Sequence, residues 1–360
     1  MHKKLKRRLF LTLMMLSFTA ITLVSTTLAW FSSNRETQLD DFNVDLEGYD
    51  GIQISIDGEN FYSKLTASDV KKAISAKIAG IDVLADSKLE APTLTDSFVN
   101  AKYDSISLKP IALNSLDWYK LENANTSFKV LDQESITDGY FGLKDAEQSD
   151  YVSFNVWFRI ANTGLANKNY ELCFTTAEDT AANSYIKATA IKSTSYKTTA
   201  NTAFECNGVK YSSGHEFEIN PVSSMRLGAV INDGESYSLV EPMLGTASVP
   251  VKDSLEDRYN PANNFMYQYF NAYAPADLKP IEDANVIKYN TEDMNDDFNS
   301  PLARFTANED QTKYLDIKVS FAIWQEAYDS DYIPGSQAAL DDITIALGFK
   351  MREVLANEEI

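Results

Sequence analysis

YVSFNVWFRI, residues 151–160, sets Val152, Phe154, Val156, Phe158 and Ile160 on one side of the chain and Ser153, Asn155 and Arg159 on the other. A period of two matches the pleat of a β-strand, whose successive side chains leave on opposite faces, and not the 3.6-residue turn of a helix. LDIKVSFAIW, residues 315–324, repeats the pattern with Leu315, Ile317, Val319, Phe321 and Ile323 against Asp316, Lys318 and Ser320. Shorter versions are IQISI (52–56), YELCF (170–174), MRLGAVI (225–231) and ITIALGF (343–349), and turn residues such as Asp57-Gly58, Asp233-Gly234 and Pro334-Gly335 lie near them. Strands with one apolar and one polar face are half-buried, and such strands read as antiparallel. One short helix interrupts them: Thr66 or Ser68 can cap it, Val70, Ile74 and Ile78 share a face, and Gly80 can end it. No β-α-β alternation appears. The expected fold is all-β, an antiparallel β-sandwich of jelly-roll type.

Between the strands lie long polar segments, residues 82–150 and 253–312, which read as insertions with some structure of their own or as surface excursions. The chain is 360 residues long and 44% hydrophobic, with 19 Phe and 19 Tyr, so it can bury a large core or two modest ones. Its two cysteines, Cys173 and Cys206, fall in apolar strand-like contexts, where one disulfide or two buried thiols fit equally well. Two cysteines cannot staple a chain of this size, so packing must hold it.

The N-terminus has a different build. MHKKLKRR carries Lys3, Lys4, Lys6, Arg7 and Arg8, and an apolar run, LFLTLMMLSFTAITLV, follows over residues 9–24. TTLAWFSSN, residues 26–34, closes it with small residues. Charge, then grease, then small side chains is the order of a secretory signal peptide over residues 1–29, with Thr27 and Ala29 in the two small-residue positions before a cut at Trp30. The competing reading is an uncleaved anchor, because the 26 residues from Leu9 to Asn34 carry no charge and a bilayer core is about 30 Å thick. In both readings the basic flank stays inside and residues 30–360 form the exported body. Cleavage removes five positive charges and no negative one, taking the formal net charge from -20 to -25. That balance opposes nucleic-acid binding and leaves the membrane to the N-terminal segment alone.

TLAWFSSN followed by an acidic all-β body resembles the SipW-dependent type of signal and the TasA/camelysin-like surface proteins of Gram-positive bacteria. YVSFNVWFRIANTG looks like that group's early strand running into an Asn-x-Gly turn, and MRLGAVINDGESYSLVEP and LDIKVSFAIWQEAYDSDY look like its later strands. The resemblance implies secretion and a structural or biofilm-matrix role. It also raises a metalloprotease activity, described for camelysin-like proteins.

The residues do not favour that chemistry. A zinc hydrolase takes three protein ligands, commonly including two histidines on one helix. Outside the signal the sequence offers only His215, with Glu216 and Glu218 beside it. A Ser-His-Asp relay would depend on the same His215. Carboxylates cluster in NTEDMNDDFNS (290–300), with Glu292, Asp293, Asp296 and Asp297, and in DSLEDRYN (253–260), with Asp253, Glu256 and Asp257. Asp293, Asp296 and Asp297 are weak calcium candidates, since their spacing departs from the D-x-D-x-D-G loop. Paired acids of this kind also suit a glycosidase, but in so acidic a chain they pair by chance. Tyr267, Tyr269, Phe270 and Tyr273, and Trp118-Tyr119, can stack on sugars or pack a core. The expectation is therefore a non-catalytic protein without a resident cofactor, whose partners are copies of itself or envelope components; a carbohydrate-binding adhesin module is the alternative.

Phe42, Val44 and Leu46 alternate with Asn43 and Asp45 close to the expected new N-terminus. They can form the first strand of their own sheet, or a strand donated to a neighbour's open edge. Export is testable on its own. The mature protein is expected to begin at Trp30, and Ala29→Gln, too bulky for the peptidase pocket, to leave a longer membrane-bound form. N-terminal sequencing of fractionated cells checks this, and wild-type protein found only at full length in membranes would make the segment an anchor.

Overall fold

The computed structural model describes residues 37–38, 43–48, 52–79, 95–103, 107–108, 111–113, 118–122, 127–130, 151–161, 168–175, 185–188, 196–199, 203–206, 208–219, 222, 225–232, 236–242, 285–289, 301–306, 314–326 and 343–354. Twelve strands build two six-stranded sheets: β1 (Asn43–Gly48), β2 (Gln53–Ser55), β3 (Lys64–Leu65), β4 (Val152–Ala161), β5 (Asn169–Phe174), β6 (Tyr185–Ala188), β7 (Met225–Ile231), β8 (Ser236–Pro242), β9 (Asn285–Tyr289), β10 (Pro301–Thr306), β11 (Tyr314–Gln325) and β12 (Ile343–Glu353). The first sheet runs β10-β5-β12-β1-β3, with β6 also paired to β12. The second runs β9-β8-β7-β11-β4-β2. Smaller pairings are Thr37–Gln38 with Ser107–Leu108, Tyr196–Thr199 with Glu216–Ile219, Phe204–Cys206 with Val209–Tyr211, and a three-stranded sheet of Ile111–Leu113, Trp118–Glu122 and Ser127–Val130.

The chain is all-β, as its alternation predicts, but the sheets are mixed rather than purely antiparallel. β1 runs parallel to β12, and β8 runs parallel to β9. Neither pair is a hairpin: β1 and β12 lie at opposite ends of the chain, and β8 and β9 are separated by residues 243–284. Without a tight turn nothing imposes an antiparallel direction. The span 253–312, read from sequence as an insertion, supplies β9 and β10, the edge strands of the two sheets.

Both sheets turn their apolar faces into one core. Val152, Phe154, Val156, Phe158 and Ile160 of β4 join Leu172 and Phe174 of β5, Leu227 and Ala229 of β7, Ile317, Val319 and Phe321 of β11, and Ile345, Leu347 and Phe349 of β12. Phe349 lies at the centre. Its ring centroid is 4.6 Å from Phe158, 5.5 Å from Phe174 and 6.3 Å from Phe321, so one side chain touches strands of both sheets.

The half-buried reading holds for β4 but not for β7, all seven of whose residues are buried. On the far face of that sheet Arg226 and Glu241 stand opposite each other, each 2% exposed, with Arg226 Nε 3.8 Å from Glu241 Oε2. Arg226 Nη1 also donates to the Met225 carbonyl at 2.9 Å. A charge this deep persists only when paired, which is why an arginine sits inside an otherwise apolar strand. Trp324, directly across from Arg226, is equally buried and donates its indole N–H to Glu326 Oε2 at 3.2 Å.

Among the described residues two helices, rather than the single one expected, pack together beside β1 and β4. α1 (Ala67–Ile78) begins where the sequence places it, at Thr66, whose backbone N–H and hydroxyl both donate to Asp69 Oδ2 at 2.8 Å. Val70, Ala73 and Ile74 enter the core, and Lys77 Nζ donates to Ser153 Oγ of β4 at 2.6 Å. α2 (Asp96–Tyr103), in the 82–150 segment, starts at Thr95, whose hydroxyl accepts the Phe98 N–H at 3.3 Å. It buries Val99 and Tyr103, and Ser75 Oγ donates to the Val99 carbonyl at 3.1 Å. With two apolar contacts in eight residues its periodicity is too short to stand out in sequence.

Phe349→Ala is expected to cost about 3–5 kcal/mol, because the cavity opens between sheets that cannot both collapse into it. Val209→Ala, at an exposed site, is expected to stay within about 0.5 kcal/mol of the parent. Urea unfolding of the two variants checks the contrast.

Candidate functional site

The feature that lends itself to function is the slot that holds β1. Its side chains alternate, so Val44 and Leu46 point into the core and are 2% and 0% exposed. Along one side β1 pairs parallel with β12 over its whole length, setting Val44 against Ile345 and Leu46 against Leu347. Along the other it meets only β3, through Leu46–Leu65 and Glu47–Lys64, the second pair closed by an exposed 3.4 Å ion pair. Asn43 to Asp45 therefore have a strand neighbour on one side only among the described residues.

The slot ends at a corner. Gly48 N–H donates to the Ser63 carbonyl at 2.8 Å, and a Cβ on Gly48 would lie 2.5 Å from the Ile52 carbonyl oxygen. Only glycine lets the chain turn here, from β1 in the first sheet to β2 in the second. Beyond the corner, the β2 hairpin is pinned by Asp57, whose carboxylate accepts Ser55 Oγ at 2.8 Å, the Glu59 N–H at 2.9 Å and the Asn60 N–H at 2.8 Å. Arg159 holds the hairpin down: it grips Asp316 at 2.8 and 2.7 Å while its guanidinium lies 3.7 Å from the centre of the Phe61 ring. Gly48 and residues 52–61 are thus fixed to the body, whereas β1 is fixed by its own pairing and two apolar side chains, with the short Thr37–Gln38 pairing to Ser107–Leu108 ahead of it. Of the expected donor residues, Val44 and Leu46 pair within their own chain, and Phe42 lies outside the described residues.

Few of the other residues singled out by sequence fall among the described residues. His215 is exposed on a turn, its N–H donating to the Ser212 carbonyl at 3.1 Å and its ring edge-on to Tyr211 at 5.1 Å. Glu216 beside it is exposed, and the Glu218 side chain lies outside the described residues. Among the described residues no three of His, Cys, Asp and Glu gather as metal ligands would. The calcium candidates Asp293, Asp296 and Asp297, the 253–260 cluster, the 266–275 aromatics and the signal residues Thr27, Ala29 and Trp30 all lie outside the described residues. Among those described, no helix is long and apolar enough to cross a membrane. Cys173 and Cys206 are buried free thiols, and burial pushes them up to about 11 and about 12, so neither is a ready nucleophile.

One charged arrangement escaped sequence reasoning. Glu171 of β5 lies directly between Arg304 of β10 and Arg352 of β12 on the outer face of the first sheet. Arg304 Nε donates to Glu171 Oε1 at 2.8 Å, and Arg352 Nε donates to Oε2 at 2.9 Å. Burial alone would raise the Glu171 carboxyl, but hydrogen bonds and charge from the two guanidinium groups outweigh it and hold the group below its ordinary value of 4.5. Alternation puts all three residues on outer faces, yet only strand order reveals that they are neighbours. No protein family, no curated protein and no solved structure matches the chain, so function has to be argued from this geometry.

Because the Glu171 carboxyl is lowered in the folded state, its stabilising effect is fully present above the unfolded value and is lost as pH falls through the folded one. Glu171→Gln is expected to be less stable at pH 7 and to lose less stability between pH 5 and pH 2 than the parent. Parallel acid limbs in urea titrations would show that the carboxylate contributes nothing.

Proposed function

We propose that this is an exported, non-catalytic structural protein of the cell surface or extracellular matrix, a two-sheet sandwich that assembles by passing β1 between copies. The carrying observation is the parallel seating of β1 beside β12. The strand comes from the N-terminal end, joins β12 without a hairpin, ends at the Gly48 corner and is preceded by Thr37–Gln38, paired with Ser107–Leu108. The same backbone donors and apolar side chains can be offered by the β1 of a neighbouring copy, with main-chain hydrogen bonds for affinity and Val44 and Leu46 for register. Cleavage at Trp30, if it occurs, would release the chain ahead of Thr37–Gln38, which in the single chain pairs with Ser107–Leu108 and would have to part for the strand to cross. The N-terminal signal architecture and the likeness to TasA-type surface proteins point to the same class, and a lone exposed His215 argues against a camelysin-type protease.

Protein beginning at Trp30 is expected to form β-rich filaments in a concentration-dependent way. Protein beginning at Gly48 is expected to stay unassembled and to bind a peptide of residues 37–48, since its slot is empty; burying Val44 and Leu46 is worth about 1.5–3 kcal/mol each. Sedimentation and electron microscopy distinguish the outcomes. Equal assembly of the two forms would exclude β1 as the exchanged element.

A further inference from the structure

The second sheet turns a mixed polar and aromatic face away from the core. Val156 and Phe158 of β4 point inward, so Asn155, Trp157 and Arg159 point outward, in register with Ser320, Lys318 and Asp316 of β11. Asn155, Trp157 and Arg159 are each half-buried. The charged groups of this face are already engaged. Arg159 holds Asp316 through two hydrogen bonds and lies against the Phe61 ring, and the Lys318 ammonium stands 6.0 Å from the centre of the Trp157 ring and has other partners. The neutral groups are not engaged. Among the described residues the Trp157 indole N–H has no hydrogen-bond partner, and Asn155 uses only Oδ1, which accepts Ser320 Oγ at 2.7 Å and leaves the Nδ2 hydrogens available. Gln53 of β2, in register with Arg159, is exposed, and its side-chain amide likewise has no partner among the described residues.

A ligand suited to this face offers hydroxyl groups rather than charge, together with a flat apolar side to lie on the indole. Pyranose sugars have both: C–H bonds across one face of the ring, and oxygens around its rim that accept from indole and amide N–H groups. An acidic polymer would be repelled by the net charge of -20, and a cationic one would meet Arg159 and Lys318. Tryptophan gives a large rigid contact area with few rotatable bonds, and its N–H is a polar handle at the edge of an apolar plate. Asn155 lies two residues from Trp157 on an extended strand, about 7 Å away, so successive sugars of one chain reach both. We propose that the outer face of β4, centred on Trp157, binds a neutral polysaccharide. The indole is the stacking platform, and the Asn155 and Gln53 amides donate to sugar oxygens. The aromatics that the sequence offers for sugar stacking, at 266–275 and at Trp118-Tyr119, take no part. The site lies on the second sheet, whereas β1 belongs to the first, so it stands apart from strand exchange and gives the surface protein a glycan partner.

The test is a titration of dilute, unassembled protein with cellohexaose, chitohexaose and maltohexaose, followed through the indole N–H resonances of its four tryptophans. At least one of these sugars is expected to shift the Trp157 resonance, assigned with Trp157→Phe, and to leave that of the buried Trp324 in place. Trp157→Ala is expected to weaken binding about tenfold, a change of about 1.4 kcal/mol, and Asn155→Ala to weaken it several-fold. Binding should persist in about 0.5 M salt, where interactions between exposed charges are screened. Urea midpoints check that the variants fold; if Trp157→Ala does not, the resonance shift in the parent and the Asn155→Ala affinity decide. No binding of any of the sugars at millimolar concentration overturns the site, as does equal binding by parent and variants. Binding abolished by salt marks a site for a charged ligand and overturns it too. Loss of strand exchange leaves the titration unchanged, so the two readings fall separately.

Discussion

The contact of Phe349 with Phe158, Phe174 and Phe321 is the constraint on which the rest of the structure depends. Neither Cys173 nor Cys206 is in a disulfide, so no disulfide fastens one sheet to the other. What joins them is apolar burial, non-directional and proportional to area, made specific by rings that fit in one arrangement. Phe349 belongs to β12, and β12 is also the strand against which β1, β5 and β6 register. Fixing that residue in the core fixes the height of the strand, and the height of the strand sets the row in which every neighbour pairs. The N-terminal slot and the outer cationic row are both consequences: one is the inward side of β12 next to β1, the other the outward side of β12 next to β5.

Stability is unevenly distributed around that centre. β4 and β11 pair over ten residues with polar partners on the outer face, including Ser320 Oγ with Asn155 Oδ1 at 2.7 Å. β1 pairs over six residues on one side and two on the other. Local opening follows the same order, because an element with fewer buried contacts separates at lower free energy than the core strands do. On the strand-exchange proposal, the exchanged element comes from the weaker end of that range and stops at a firm boundary. Gly48 and the Asp57 hairpin supply one.

Much of the fold was legible in sequence. Strand alternation identified β4, β5, β7, β11 and β12, and the apolar faces of β4 and β11, because a period of two depends only on near neighbours in the chain. Thr66 marked the start of α1 because a capping residue acts within one turn. Strand direction and order were not legible: the parallel pairing of Asn43–Gly48 with Thr344–Phe349 joins residues some 300 positions apart and leaves no local mark. Arg226 was hidden because its burial depends on Glu241 of the neighbouring strand, which its own local pattern does not show. The edge strands β9 and β10 were absorbed into a polar segment because each is short and flanked by acidic residues. At the site, Val44 and Leu46 were found from alternation, whereas the Arg304–Glu171–Arg352 row needed three strands to be placed side by side.

The central claim is that β1 occupies the same slot from its own chain or from a neighbour's. Leu46 and Leu65 are directly opposed across β1 and β3, so cysteines at these two positions form a disulfide that records which chain filled the slot. In dilute protein the bond should close within single chains. In assembled protein it should link chain to chain into a ladder on a denaturing gel. Assemblies that dissolve into singly closed chains would contradict strand exchange.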